Sequence, residues 1–399
     1  MVIALSKSRR ILTEKLPASL RGWFGVIWPF LALLSLFYGA LIGVRNLFFR
    51  FRIFRSNRLL VPVISIGNLT TGGTGKTPCA EFVARHLRQL GLRVAIISRG
   101  YGAVSGNKND ETRVLEQNLP DVPLLEGADR TAMGQIAIDQ LETEVILLDD
   151  GMQHRTLARN LEIVLLDATD PFGGGWLLPA GLLREPKSAL RRGHAILLTN
   201  SDQVEPTVLD QLHKKVAQMA PKAVIAHAIH EPKNWMDANL PGVDLQLTER
   251  PFGPVAIVCG IGNPEGFART LEQLGLKVTH QRRFPDHHEY SLADIKELEA
   301  WAKNLPEGTW LATTQKDMVK LQVAQLGGRQ LLALKIGFKL TIGRDRFLAL
   351  IESKGLGGSD YVKELAPAPL RPELALDVPH WDKKVPTLNP QTLSATGAQ

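Results

Sequence analysis

Cysteine is nearly absent: Cys79 and Cys259 are the only two in 399 residues. That excludes a disulfide framework and any zinc ribbon, and it agrees with a reducing compartment. Acidic residues are almost missing from the first 58 positions, where Glu14 stands alone against ten Lys/Arg, a charge of +9. The whole chain carries +7, so the other 341 residues carry −2. That balance speaks against nucleic acid as a partner. Internal repeats are missing as well. What is present, 44% hydrophobic and 22% charged residues, rules out wholesale disorder and a polytopic membrane bundle. A length of 399 residues exceeds one ordinary core, so two domains are expected.

Charge of either sign vanishes from residues 22–44, a run of 23 residues between Arg21 and Arg45. As a helix it would reach about 35 Å, enough to cross a hydrocarbon core of about 30 Å. Trp23, Trp28 and Tyr38 suit an interface, and Arg50, Arg52, Arg55 and Arg58 suit anionic headgroups. The run is too long for a signal peptide and has no small-residue cleavage site. A core helix would show a polar stripe, which this one lacks. Both flanks are basic, so no orientation follows, and Pro29 allows a slanted helix or a half-embedded hairpin. Membrane association is expected for 1–58; spanning and lying in the interface both remain open.

Beyond residue 58, short β-branched apolar runs at 60–66, 93–98, 145–148, 163–166 and 195–199 alternate with helical patterns at 78–90 and 131–141. Buried parallel strands joined by helices read this way, so 59–245 is expected to be a doubly wound parallel α/β sheet. A second set of strands at 254–259, 277–282, 310–314 and 331–336, with helices near 264–274, 292–304 and 344–354, predicts a smaller α/β domain over 250–355. Its boundary falls near 241–251. Residues 361–399 hold six of the 24 prolines, show no periodicity, and read as a disordered tail.

The first strand runs into Gly67-Asn68-Leu69-Thr70-Thr71-Gly72-Gly73-Thr74-Gly75-Lys76-Thr77-Pro78 and then a helix. Such glycines let backbone N–H groups turn toward phosphate oxygens, and the helix N-terminus adds a favourable dipole. Gly72, Gly73, Thr74, Gly75, Lys76 and Thr77 are therefore expected to hold ATP, with Lys76 on the β/γ-phosphates and the Thr77 hydroxyl on Mg²⁺. The strict P-loop pattern wants glycine where Thr70 stands, so this is a variant. Some 70 residues on, Asp149 and Asp150 close an apolar strand, at the edge where open α/β sheets bind ligands. There they are suited to Mg²⁺ or its water shell.

The phosphate loop and the Asp149-Asp150-Gly151-Met152-Gln153-His154 run resemble those of the tetraacyldisaccharide 4′-kinases, the lipid A 4′-kinases of Gram-negative bacteria. So do Ser98-Arg99-Gly100-Tyr101-Gly102 and the stretch from Leu178-Pro179 through Arg184-Glu185-Pro186. Gly260-Ile261-Gly262-Asn263-Pro264, Phe284-Pro285-Asp286-His287-His288 and Thr314-Gln315-Lys316-Asp317 are similar too. The ordered set covers about 20–350. The resemblance implies transfer of the ATP γ-phosphate to the 4′-hydroxyl of an acylated glucosamine disaccharide 1-phosphate held in a membrane. It implies a monomer anchored by its amino-terminal helix at the cytoplasmic face of the inner membrane, with a cleft between two α/β domains.

The family's catalytic aspartate carries over to Asp110 in Asn109-Asp110-Glu111-Thr112, which lies 39 residues before Asp149 as in the family. Asp121 and Asp129 fit that spacing less well. The partner base carries over to His287, so that domain closure would join the two. Arg184 is implied as a phosphate or transition-state contact and Glu185 as an acid beside the metal. Gln315 stands where the family usually has Glu. The rival reading is a membrane-associated P-loop ATPase that acts as a partner switch.

Overall fold

The computed structural model describes residues 18–100, 110–240, 242–286 and 288–355. The expected tail at 361–399, together with Tyr101, Gly102 and His287, lies outside the described residues.

Helix α1 (Ala18–Arg50) comes first. Strand β1 (Val63–Asn68) is buried along its whole length. Two parallel neighbours cover its edges, and helices cover its faces, which is why VISIGN reads as a continuous apolar run. The phosphate loop leads into α2 (Lys76–Gln89), which turns Cys79, Ala80, Val83, Ala84 and Leu87 onto that sheet. There follow β2 (Val94–Ser98), α3 (Asp110–Asn118), β3 (Leu124–Glu126), α4 (Arg130–Leu141), β4 (Val145–Asp149), β5 (Leu161–Asp167), β6 (Ala195–Thr199) and α5 (Pro206–Met219). Strand β7 (Val224–Asp237) continues parallel to β6 and pairs with the short β8 (Asp244–Leu245). The remainder is β9 (Val255–Cys259), α6 (Pro264–Gln273), β10 (Val278–Arg283), α7 (Leu292–Lys303), β11 (Trp310–Thr314), α8 (Gln315–Leu321), β12 (Gln325–Leu326), β13 (Arg329–Ile342) and α9 (Arg344–Gly355).

The thirteen strands of the described residues form one sheet, in the order β3-β2-β4-β1-β5-β6-β7-β13-β11-β9-β10, with β8 and β12 beside it. Every neighbour along that order is parallel except β7 and β13, which pair antiparallel from His227–Ile342 to Asp237–Leu332. The fold is thus the expected mostly parallel α/β sheet with an apolar amino-terminal helix. The two halves meet in a ribbon that the sequence did not announce. Strand β7 runs past the carboxyl end of β6, and β13 past that of β11. The carboxyl edges of both halves therefore face each other across the ribbon's middle, where His230 pairs with Phe338.

The chain crosses between halves inside β7, ahead of the proline-flanked stretch at 241–251. Helix α9 returns to the first half, burying Phe347 and Ile351 in the core that includes Ile64, Val83 and Leu197.

Helix α1 would be about 50 Å long at 1.5 Å per residue. Its stretch Ile27–Arg50 is long and apolar enough to cross a membrane. One face docks on the body: Tyr38 Oη donates to Arg184 O at 2.9 Å, Asn46 Nδ2 to Glu185 Oε2 at 3.2 Å, and Ser35 Oγ to Leu177 O. The Trp28 and Trp176 rings meet edge to face at 5.4 Å. Phe30, Leu33, Leu36, Phe37 and Leu41 remain more than half exposed.

Candidate active site

The phosphate loop owes its shape to a few contacts. Gly72 and Gly75 adopt φ of 118° and 85°, a region that side chains with a Cβ enter only under strain. A Cβ on Gly75 would lie 2.6 Å from His230 Nε2. Buried Asn68 spans the loop from below, donating to Thr74 Oγ1 at 3.0 Å, and Thr199 Oγ1 donates to Thr74 O at 3.0 Å. Position 70 tolerates threonine because the chain there is extended, forming an antiparallel bridge with Leu183 rather than a tight turn.

Behind the loop, Lys76 Nζ lies 3.6 Å from Asp150 Oδ1, and Arg184 Nη1 donates to Asp150 Oδ2 at 2.7 Å. Burial pushes the Asp150 carboxyl up, but Lys76, the Arg184 charge and hydrogen bond, and Arg130 outweigh it, and the net shift is downward. Asp149 behaves oppositely. Burial, then the Glu111 charge, pushes it up to about 7 against the pull of Lys76. Its Oδ1 accepts from Asp150 N at 2.9 Å. A buried carboxylate so short of positive charge, beside an Asp150 Oδ1 that no hydrogen bond reaches, is chemically suited to a divalent cation.

Above the loop lies a cleft of about 1280 Å³, its open mouth included, between the facing carboxyl edges. Residues 73–78 and Glu111 line one side, and Gly262, Asn263, Phe267, Asp286 and Lys316 the other. The halves are close at its end, where a Cβ on Gly262 would lie 3.9 Å from Gly73 N and 3.0 Å from Asp286 Oδ2.

Asp110 opens α3 and is 5% exposed. Lys316 and Lys320, both on α8, each bring Nζ to 3.6 Å from its Oδ2. Lys316 also lies 3.6 Å from Glu111 Oε1 and 3.8 Å from Asp286 Oδ1. Burial works against the Lys316 charge, but Glu111, Asp110, Asp286 and Asp317 overcome it and raise its pKa.

Residues 27–355 match the family model described as tetraacyldisaccharide-1-P 4′-kinase. The chain belongs to that family. It is similar to the tetraacyldisaccharide 4′-kinase of Anaeromyxobacter dehalogenans, with 39% identity over 71% of this chain and 79% of that one. It is 36% identical to that of Syntrophus aciditrophicus over 79% of this chain and 89% of the other. The crystal structure of LpxK from Aquifex aeolicus in complex with ATP superposes with a TM-score of 0.63 at 31% identity. It covers 82% of this chain and 98% of its own.

Within this tetraacyldisaccharide-1-P 4′-kinase family member, the expected site residues divide into two groups. Lys76, Asp150 and Arg184 form one contiguous row, with Asp149 next in sequence and Thr77 at the start of α2. Asp110 opens α3 beside Glu111, on the phosphate-loop side, and is joined to Asp286 on the other side through Lys316.

Glu185 differs from its expected metal-side role. It is fully buried and accepts both Arg192 Nη1 and Nη2, at 2.8 and 2.9 Å, with Asn46 as a third donor. Those donors take three of the carboxylate's roughly four lone-pair sites, so in this structure Glu185 ties α1 and Arg192 to the body. Among the described residues no group of three His, Cys, Asp or Glu side chains is arranged to hold a metal unaided.

Three participants escaped the sequence reading. Lys320 sits one helical turn beyond Lys316, a spacing that would have put both on one face of a recognised helix. Arg192 has no local motif. His230 lies in a polar stretch of β7 that gave no clear strand signal, and burial lowers its pKa against the pull of Asp167 and Asp202.

Proposed function

We propose that this protein transfers the γ-phosphate of ATP to the 4′-hydroxyl of an acylated glucosamine disaccharide 1-phosphate, in lipid A biosynthesis. The observation that carries this reading is the convergence on one cleft of the phosphate loop, backed by the Lys76–Asp150–Arg184 row, and of Glu111, Asp286 and Lys316, which adjoin the buried Asp110. Family membership favours it over a partner-switch ATPase.

In this reading ATP lies on residues 72–77, its polyphosphate facing the backbone N–H groups and the Lys76 ammonium. Thr77, Asp149 and Asp150 would hold Mg²⁺, which supplies charge neutralisation to the β- and γ-phosphates. Asp110, paired with His287 by the family resemblance, accepts the proton of the 4′-hydroxyl. The hydroxyl oxygen forms the new bond to the γ-phosphorus as the bond to the β,γ-bridging oxygen breaks, and ADP departs with that electron pair. Arg184 orients Asp150 and adds positive charge beside the phosphates. The residues do this by position and charge rather than by covalent chemistry.

Helix α1 supports the acceptor side. Its docked face touches Arg184 and Glu185, beside the phosphate row, while its outward face is apolar. A lipid-held sugar arriving along α1 reaches the cleft without leaving the bilayer. We place the protein as a monomer at the cytoplasmic face of the inner membrane, and read the halves as two lobes that close on the nucleotide.

The test is direct: purified protein, Mg·ATP and the acylated disaccharide monophosphate, with mass analysis of the lipid. One added phosphate on the distal sugar is expected. ADP release with no phosphorylated lipid would point to the ATPase reading instead.

A further inference from the structure

The Thr314-Gln315-Lys316-Asp317 motif and the lysine that follows it have no part in the chemistry so far, yet they surround Asp110. Lys320 is among the most enclosed charges of the molecule, its side chain 1% exposed. Its ammonium is 3.6 Å from Asp110 Oδ2 and 3.6 Å from Asp317 Oδ1, and 5.7 Å from the Tyr290 ring centroid. Asp317 is itself fully buried and firmly held. It accepts from Gly260 N at 3.0 Å, Tyr290 Oη at 3.0 Å and Thr314 Oγ1 at 2.7 Å. Gln315 and Asn118 exchange hydrogen bonds of 2.9 and 3.2 Å, which fasten α8 to the far end of α3.

An alternating row results: Asp286, Lys316, Asp110, Lys320, Asp317. Lys316 borders the cleft, whereas Asp110 and Lys320 lie behind its lining, so the two lysines have different work. One faces the cleft; the other meets the carboxylate from the interior. Burying an ammonium is costly unless opposite charge surrounds it. Here two carboxylates do so, Asp317 and Asp110, and the second is the one read as the base.

We propose that Lys320 is a positioning residue for phosphoryl transfer: anchored by Asp317, it holds the Asp110 carboxylate in its place behind Glu111 and Lys316 at the cleft wall. The inference rests on the reading of Asp110 as the base, and misplacement of a reacting group by about 1 Å costs on the order of 10²-fold in rate.

The experiment measures kcat with lipid acceptor and KM for ATP in the wild type, Lys320→Met, Lys320→Arg, Asp110→Asn and Asp110→Asn/Lys320→Met. Lys320→Met should lower kcat about 30- to 100-fold, with KM for ATP within about twofold of the wild type. Lys320→Arg should recover most of the loss. In the Asp110→Asn background the methionine should cost less than about twofold more, because Lys320 acts through Asp110. Should Lys320→Met lose its cooperative melt, Lys320→Gln carries the same comparison. Equal losses in both backgrounds, a parallel rise in KM for ATP, or no loss at all would overturn the proposal. Full activity of Asp110→Asn would instead overturn the reading of the base.

Discussion

Gly75→Ala is the most revealing single change in the phosphate loop. At φ of 85° an alanine pays about 1–2 kcal/mol of backbone strain. Its Cβ would also stand 2.6 Å from His230 Nε2, so loop or ring must yield by roughly 1 Å to restore ordinary contact. The ring cannot swing away freely: His230 lies in the ribbon, its centroid 6.4 Å from that of Phe338, and its Nε2 is buried. The loop is therefore the part that moves, and Lys76 and Thr77 move with it. We expect stability to fall by about 1–2 kcal/mol, from the backbone term, and kcat/KM for ATP by about 10²-fold, from misplacement of the phosphate contacts. Steady-state kinetics and denaturant unfolding measure the two separately. Adding His230→Ala should restore about tenfold in kcat/KM relative to Gly75→Ala alone, by vacating the space, while leaving the stability loss in place. A Gly75→Ala protein within twofold of wild type, or a double variant no better than the single one, would refute the reasoning.

The remaining expectations concern charge. His154 is pushed down to about 4, chiefly by burial and then by Arg130 and Arg159. Its folded form thus binds fewer protons than the unfolded chain, and stability that is complete above pH 6.5 declines as pH falls toward 4. Allowing for solvent screening of a half-buried ring, the decline is worth about 1–2 kcal/mol; in chemical denaturation at pH 7.5 and 5, His154→Asn should lose that much less than wild type. Arg192→Ala strands the fully buried Glu185 and should cost about 3–5 kcal/mol of stability. Arg192→Ala/Glu185→Gln should recover part of it, and rescue of Arg192→Ala by added Mg²⁺ would favour a metal role for Glu185.

Much of the first half was legible because its strands are covered on both faces. Residues 145–148 and 195–199 read as unbroken apolar runs, and both proved buried strands. The phosphate loop announced itself because glycine and lysine are demanded by local backbone geometry. Strands β7 and β13 were harder for the opposite reason. Their ribbon carries His230, Glu231, Pro232, Lys233 and Lys339, and it has register shifts at Lys335/Ile336 and Leu340/Ile342 that break the period-two pattern. Asp110 was found only through a family motif, since an acid at a helix start is ordinarily a cap. Its surroundings were illegible because Lys316 and Lys320 come from more than 200 residues away, and pairings across the fold leave no local trace. Glu185 shows the same limit: its family motif suggested a metal, whereas its partners Arg192 and Asn46 form no motif with it.

Turnover of Lys76→Ala at saturating Mg·ATP, with the lipid disaccharide as acceptor, is the most direct measurement of whether the phosphate loop drives transfer. Loss of the ammonium that faces the cleft should lower lipid phosphorylation by about 10²-fold or more, with the protein still folded and still bound to vesicles. Near-normal phosphorylation of the lipid by that variant would contradict the account.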